Sequence, residues 1–220
     1  MENSSCRKII KELKSLSNPR NIEGMARFGI SSYKTLGVPI PAVRKIAKET
    51  GKNHELALKL WASGIHEAKI LASMIDEPAL VTSSQMDLWA GDFDSWDVCD
   101  QTCMNLFDKT EVAWKKAEEW SRNKSEFVKR AGFAMMAALA CHDKNADDRK
   151  FLKFLPILKR ESTDERNFVK KAVNWALRQI GKRNKNLKNA AIAAAEEIRK
   201  SDSKAAKWIA GDAIRELSLK

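Results

Sequence analysis

Phe127-Val128-Lys129-Arg130-Ala131 and Phe168-Val169-Lys170-Lys171-Ala172 are nearly the same five residues written twice, 41 positions apart. A second match follows at 37 positions, with Ala176-Leu177-Arg178-Gln179-Ile180 answered by Ala213-Ile214-Arg215-Glu216-Leu217. Helix pairs recurring about every 40 residues mark HEAT and armadillo arrays. One such pair cannot bury its own apolar face, so pairs stack into a solenoid with a concave side. The reading is therefore an all-α solenoid of HEAT-like repeats, expected as a single domain over residues 1–220, with a concave basic face.

Working outward, almost every segment has helical period and none alternates like a strand. Helices are expected at Arg7 to Leu16, Asn21 to Phe28, Ser31 to Thr35, Pro41 to Lys48, His54 to Ser63, His66 to Ile75 and Val81 to Ala90. Further helices are expected at Ser95 to Phe107, Glu111 to Arg122, Ser125 to Cys141, Asp147 to Lys159, Thr163 to Gly181, Asn186 to Lys200 and Ser203 to Ser218. Linkers this short make consecutive helices antiparallel neighbours.

The net charge is +11 with a pI near 9.5, which favours a polyanionic partner, most simply nucleic acid. No apolar run is long enough to span a bilayer and no signal-peptide pattern opens the chain, so no membrane association and a cytoplasmic location, beside the nucleoid in a prokaryote, are expected. Cys6, Cys99, Cys103 and Cys141 are scattered and read as free thiols. A closed zinc site needs four ligands, and Cys99 with Cys103 supplies two.

Against this basic background one stretch concentrates acids: Asp92-Phe93-Asp94-Ser95-Trp96-Asp97-Val98-Cys99-Asp100. Asp94 or Ser95 suits a helix N-cap, and Asp97 the first turn, where the helix dipole favours negative charge. Trp96 and Asp100 are left over. Four residues apart, they share one helix face. An indole beside a carboxylate grips and stabilises a cation well. The repeats align further candidates: Arg130 and Lys171 share a repeat position, and with Arg178 they read as a basic stripe suited to phosphates. Trp175 lies one repeat before Asp212. Trp61, Trp89, Trp114, Trp120 and Trp208 read as packing residues. His66 reads as an exposed helix start, and His54 and His142 as helix ends. No triad pattern or phosphate loop is present.

The chain resembles the AlkD-type DNA alkylation repair proteins, the HEAT-like-repeat DNA glycosylases. The resemblance runs over most of its length. It is carried by Asn18-Pro19 with Gly24-Met25-Ala26-Arg27-Phe28, by Leu36-Gly37-Val38-Pro39 with Arg44, and by Leu60-Trp61 with His66-Glu67-Ala68-Lys69. Most specific are Trp96-Asp97-Val98-Cys99-Asp100, the Phe127 to Ala131 repeat, and Phe168 to Arg178 with Trp175 inside it. The resemblance implies a catalytic aspartate at Asp100, lesion-flanking tryptophans at Trp96 and Trp175, and a backbone-binding arginine at Arg130. It also implies excision of cationic N3- or N7-alkylated purines from double-stranded DNA by a monomer without metal or organic cofactor. The lesion is expected to stay stacked while the protein contacts the backbone. Two departures stand out: Phe28 where some relatives carry tyrosine, and Ser95 where some carry another aromatic. Some branches bind DNA with little or no excision. A DNA-binding HEAT module that does not excise is therefore the alternative reading, and a solenoid that binds an acidic protein is the third.

Overall fold

The computed structural model of the chain describes residues 2–219. Among them every regular element is helical, and no helix is long and apolar enough to cross a membrane. Two compact units follow one another, Met1–Glu111 and Val112–Lys220.

The first unit holds α1 (Glu2–Ser15), α2 (Pro19–Ala26), α3 (Ile40–Thr50), α4 (His54–Ala62), α5 (His66–Ile75), α6 (Ser83–Gly91) and α7 (Trp96–Asn105). Their starts are written locally. Asn18 accepts from the amide of Arg20, Asn53 from that of Leu56, and Thr82 from that of Gln85. Each removes an orphan donor from a helix first turn. Helix α5 is the hub. It packs against α1, α3, α4 and α7, and all of it except Met74 is buried. Trp61 and Trp89 stack at 3.9 Å and 6° between planes, with Phe93 and Phe107 closing around them. Ser31 to Thr35 is a turn and not the expected helix. The Ser31 hydroxyl accepts from the Tyr33 amide, and Lys34 takes φ 53°, so local side-chain bonding wins over helical pairing.

The second unit is three helix pairs: α8 (Ala113–Trp120) with α9 (Glu126–His142), α10 (Asp148–Leu152) and α11 (Phe154–Glu161) with α12 (Asn167–Gly181), and α13 (Lys185–Arg199) with α14 (Lys204–Ser218). The pairing bonds repeat. Arg130 donates to the Phe168 carbonyl at 2.6 Å, Cys141 to Gln179 at 3.4 Å, and Asn174 to Asp212 at 2.7 Å, each across 38 residues. The two repeat-position phenylalanines, Phe127 and Phe168, meet at 5.3 Å. The helix expected from Asp147 to Lys159 breaks at Lys153, between α10 and α11. Pro156 explains the break: it has no amide hydrogen, and its ring crowds the carbonyl of Leu152 four residues back. Trp120 is buried like Trp61 and Trp89, and Trp114 stacks on Phe154 at 5.2 Å, as packing residues should. Trp208 instead stands 42% exposed beneath the Lys170 ammonium.

Helix α9 runs buried from Arg130 to Ala140, and small residues let its neighbours approach. A Cβ on Gly132 would lie 2.4 Å from the Ser121 amide nitrogen, whereas one on Gly211 would meet nothing within 4 Å. Gly132→Ala should therefore cost about 1–3 kcal/mol of stability. Gly211→Ala, in a helix with open space, should gain about 0.4–1 kcal/mol. Urea denaturation of the two variants checks the contrast, and equal effects would contradict the packing.

Candidate functional site

Helix α7 carries the acid-rich stretch, and its start is held by other elements. Ser95 sits at the N-cap position in extended backbone, but neither it nor Asp94 caps the helix through its side chain, contrary to expectation. Asp97 serves instead. One carboxylate oxygen accepts from the Val98 amide at 3.0 Å and the other meets His66 Nε2 at 2.8 Å. Trp96 donates its indole N–H to the Phe28 carbonyl at 3.1 Å. Val98, Cys99, Thr102 and Cys103 face the core, while Trp96, Asp97 and Asp100 remain half-buried. The structure thus brings Trp96 and Asp100 to one face of α7, one turn apart, as the spacing requires.

The holding groups come from one turn of α5. His66 is not an exposed helix start: only 5% of it is accessible. Its neighbour Glu67, 1% exposed, accepts from the amides of Leu36 at 2.9 Å, Gly37 at 2.6 Å and Val38 at 3.1 Å. Gly37 is required there. Its φ is 73°, and a Cβ would lie 2.3 Å from the Asn18 carbonyl. Lys69 donates to the Asp92 carbonyl at 2.9 Å, and Trp61 donates to the Asp92 carboxylate at 2.9 Å. Asp92 is thereby a fastener for the segment that enters α7. Between α2, the 36–38 loop, α5 and α7 lies an open cavity of about 410 Å³, lined by Met25, Phe28, Ile30, Ile40, His66 and Trp96 among others.

Burial alone would lower the His66 pKa, but the hydrogen bond and charge of Asp97, with Glu67 and Asp94 nearby, raise it above 6.5. Burial would likewise raise Asp97, but His66 pulls it below 3.8. The pair is therefore an imidazolium–carboxylate pair across the range between. Cys6, Cys99, Cys103 and Cys141 form no disulfide, and burial holds the Cys103 thiol well above its ordinary range. Among the described residues no three His, Cys, Asp or Glu side chains are grouped to hold a metal ion.

In the second unit the expected site residues fall on α9 and α12. Arg130 is 6% exposed, with one guanidinium N–H on the Phe168 carbonyl. Lys171, at the same repeat position, is exposed, and Trp175 is half-buried. Arg178 pairs with Glu216, and its Nε lies 3.7 Å from the Asp212 carboxylate. Of the three cations expected as a phosphate stripe, Lys171 alone is exposed. The His66–Asp97 pair and the cavity were not foreseen from sequence. A signal existed in His66-Glu67-Ala68-Lys69, three polar residues opening a helix whose remainder is largely apolar.

A family model described as DNA alkylation repair enzyme matches residues 9–217. Uncharacterized proteins of Listeria innocua and Listeria monocytogenes are each 25% identical over 193 residues, covering 86% of this chain and 84% of the relative. Among solved structures the fold matches, at TM-score 0.79 and 23% identity, a protein of a new family related to the HEAT-like repeat DNA glycosylases with affinity for branched DNA structures. That match covers 96% of this chain and 94% of the other.

The His66–Asp97 pair sets a pH dependence. The contribution of His66 is complete below 6.5 and is lost as pH rises through its raised pKa. That of Asp97 is complete above 3.8 and is lost as pH falls through its lowered pKa. The stability difference between the parent and His66→Gln should be largest between those two values and shrink on both sides. Urea denaturation across pH measures it, and a flat difference would contradict the pair.

Proposed function

This chain belongs to the DNA alkylation repair enzyme family, and on that premise we propose that it is a monofunctional DNA glycosylase for cationic N3- or N7-alkylated purines in duplex DNA. The observation that carries this reading is the placement of Trp96 and Asp100 one turn apart on the half-buried face of α7, in a chain of net charge +11. Alkylation of a purine ring nitrogen makes the base positive, so the base departs neutral and needs no general acid. The N-glycosidic electron pair leaves with the base and the sugar becomes oxocarbenium-like. The Asp100 carboxylate stabilises that cation and accepts a proton from the water that attacks C1′. An indole face attracts the positive lesion, about 0.5–2 kcal/mol for each ring. Trp96 and Trp175 are the two indoles assigned to it.

Lys171 is the exposed cation assigned to a backbone phosphate, with half-buried Arg178, partly neutralised by Glu216, seven residues further along α12. Arg130 enters in a narrower role. Buried and bonded to Phe168 at the start of α12, it helps to set the helix that carries Lys171 and Trp175. A second reading, binding of damaged or branched DNA without excision, is favoured by the affinity of the structural neighbour for branched DNA structures.

Release of methylated purine from methylated duplex DNA decides between them. Asp100→Asn should lower release by about 10²–10⁴-fold while keeping DNA affinity. Lys171→Ala should flatten the salt dependence of binding by about one phosphate contact. Tight binding without release by the parent would favour the second reading, and equal release by parent and Asp100→Asn would move the chemistry away from Asp100.

A further inference from the structure

The hydrolysis proposed above needs an indole and a carboxylate at the surface. It does not need the open cavity of about 410 Å³ beside them. The lining of that cavity describes an occupant. Trp96 and Phe28 line it with aromatic side chains, and Met25, Ile30, Pro39 and Ile40 with apolar ones. Polar groups are few and fixed: His66 and Asp97 are bonded to each other, and Glu67 is bonded to the 36–38 amides. The exposed side chain of Arg20 adds a cation to the lining. Small-molecule sites of roughly 300–1,000 Å³ share this pattern of apolar walls with a few placed polar groups.

Gly24 is the second observation. It lies inside α2 and lines the cavity, yet a Cβ there would meet nothing within 4 Å. Glycine is among the weakest helix formers, and no packing contact calls for it at this position. Its effect is to leave the space empty. A flat, apolar-faced group with an attached anion fits this combination, and in DNA that is a base with its phosphate.

We propose that the cavity takes one unpaired nucleobase of DNA, stacked on the Trp96 indole, with the adjoining phosphate at Arg20. This inference rests on the DNA-binding reading above and adds a site to it, so an alkylated base is free to stay stacked. A base that is already unpaired costs least to bring out of the stack, and stacking on an aromatic ring tolerates any base. The protein therefore prefers DNA that offers an unpaired base over a perfect duplex.

The test uses the whole chain and a duplex carrying 2-aminopurine as a one-nucleotide bulge, beside the same duplex fully paired. The parent should bind the bulge about 10-fold more tightly and quench its fluorescence. Gly24→Leu fills the cavity, so its affinity for the bulge should fall to that for the paired duplex and the probe should stay bright. Gly24→Ala should behave as the parent. Should Gly24→Leu lose its helical circular dichroism, Arg20→Ala decides, by weakening the bulge more than the paired duplex. Equal affinity of the parent for the two DNAs, or quenching by Gly24→Leu equal to the parent's, overturns the pocket and leaves the DNA-binding reading standing. No affinity of the parent for either DNA overturns both.

Discussion

A carboxylate taken out of water must have its oxygens satisfied, and Glu67 meets that demand with the successive amides of Leu36, Gly37 and Val38. The first unit depends on this interaction. It fixes the 36–38 loop against α5. The loop in turn fixes the start of α2, because the Leu36 carbonyl accepts from the Asn18 amide and the Gly37 carbonyl from the Asn21 side chain. The residues on either side of Glu67 extend the same principle. His66 reaches Asp97 at the start of α7, and Lys69 reaches Asp92 just before it. One helical turn of buried polar residues thus sets three separate segments around α7. The half-buried position of Trp96 and Asp100 is a consequence of that anchoring, not of α7 alone.

The second unit is held in a more repetitive way. Bonds across 38 residues recur from α9 to α12 and again from α12 to α14, linking Arg130 to Phe168, Cys141 to Gln179, and Asn174 to Asp212. Several of the many cations of the chain are consumed in this framework. Lys129 bridges Glu161 and Asp164, and Arg178 and Lys182 both meet Glu216. A positive net charge on the sequence is therefore a poor guide to which cations face a partner. Burial separates Arg130 from Lys171 although the repeats place them at equivalent positions.

What could be read from the sequence was what local and periodic physics dictates. The repeat of Phe127 to Ala131 at Phe168 to Ala172 foretold the stacked pairs, and the bounds expected for the α5 helix, His66 to Ile75, are those observed. The break at Lys153 was missed, because helical period was followed through Pro156, whose ring and absent amide hydrogen end the preceding helix. Partners far apart in sequence were not legible. His66 and Asp97 are 31 residues apart, and nothing in either neighbourhood names the other. The cavity escaped for a related reason: its walls come from α2, the loop before α3, α5 and α7, and the empty space above Gly24 is visible only in three dimensions.

The central claim is that α7 presents the reacting pair, with Trp96 against the lesion and Asp100 at its sugar. The most direct measurement is a crystal structure of the Asp100→Asn variant trapped on duplex DNA carrying a single alkylated purine. The account predicts the substituted side chain at position 100 within hydrogen-bonding reach of the lesion C1′ through one water, and the Trp96 indole against the lesion. A lesion bound away from α7, with Trp96 and the side chain at position 100 both facing solvent, would contradict it.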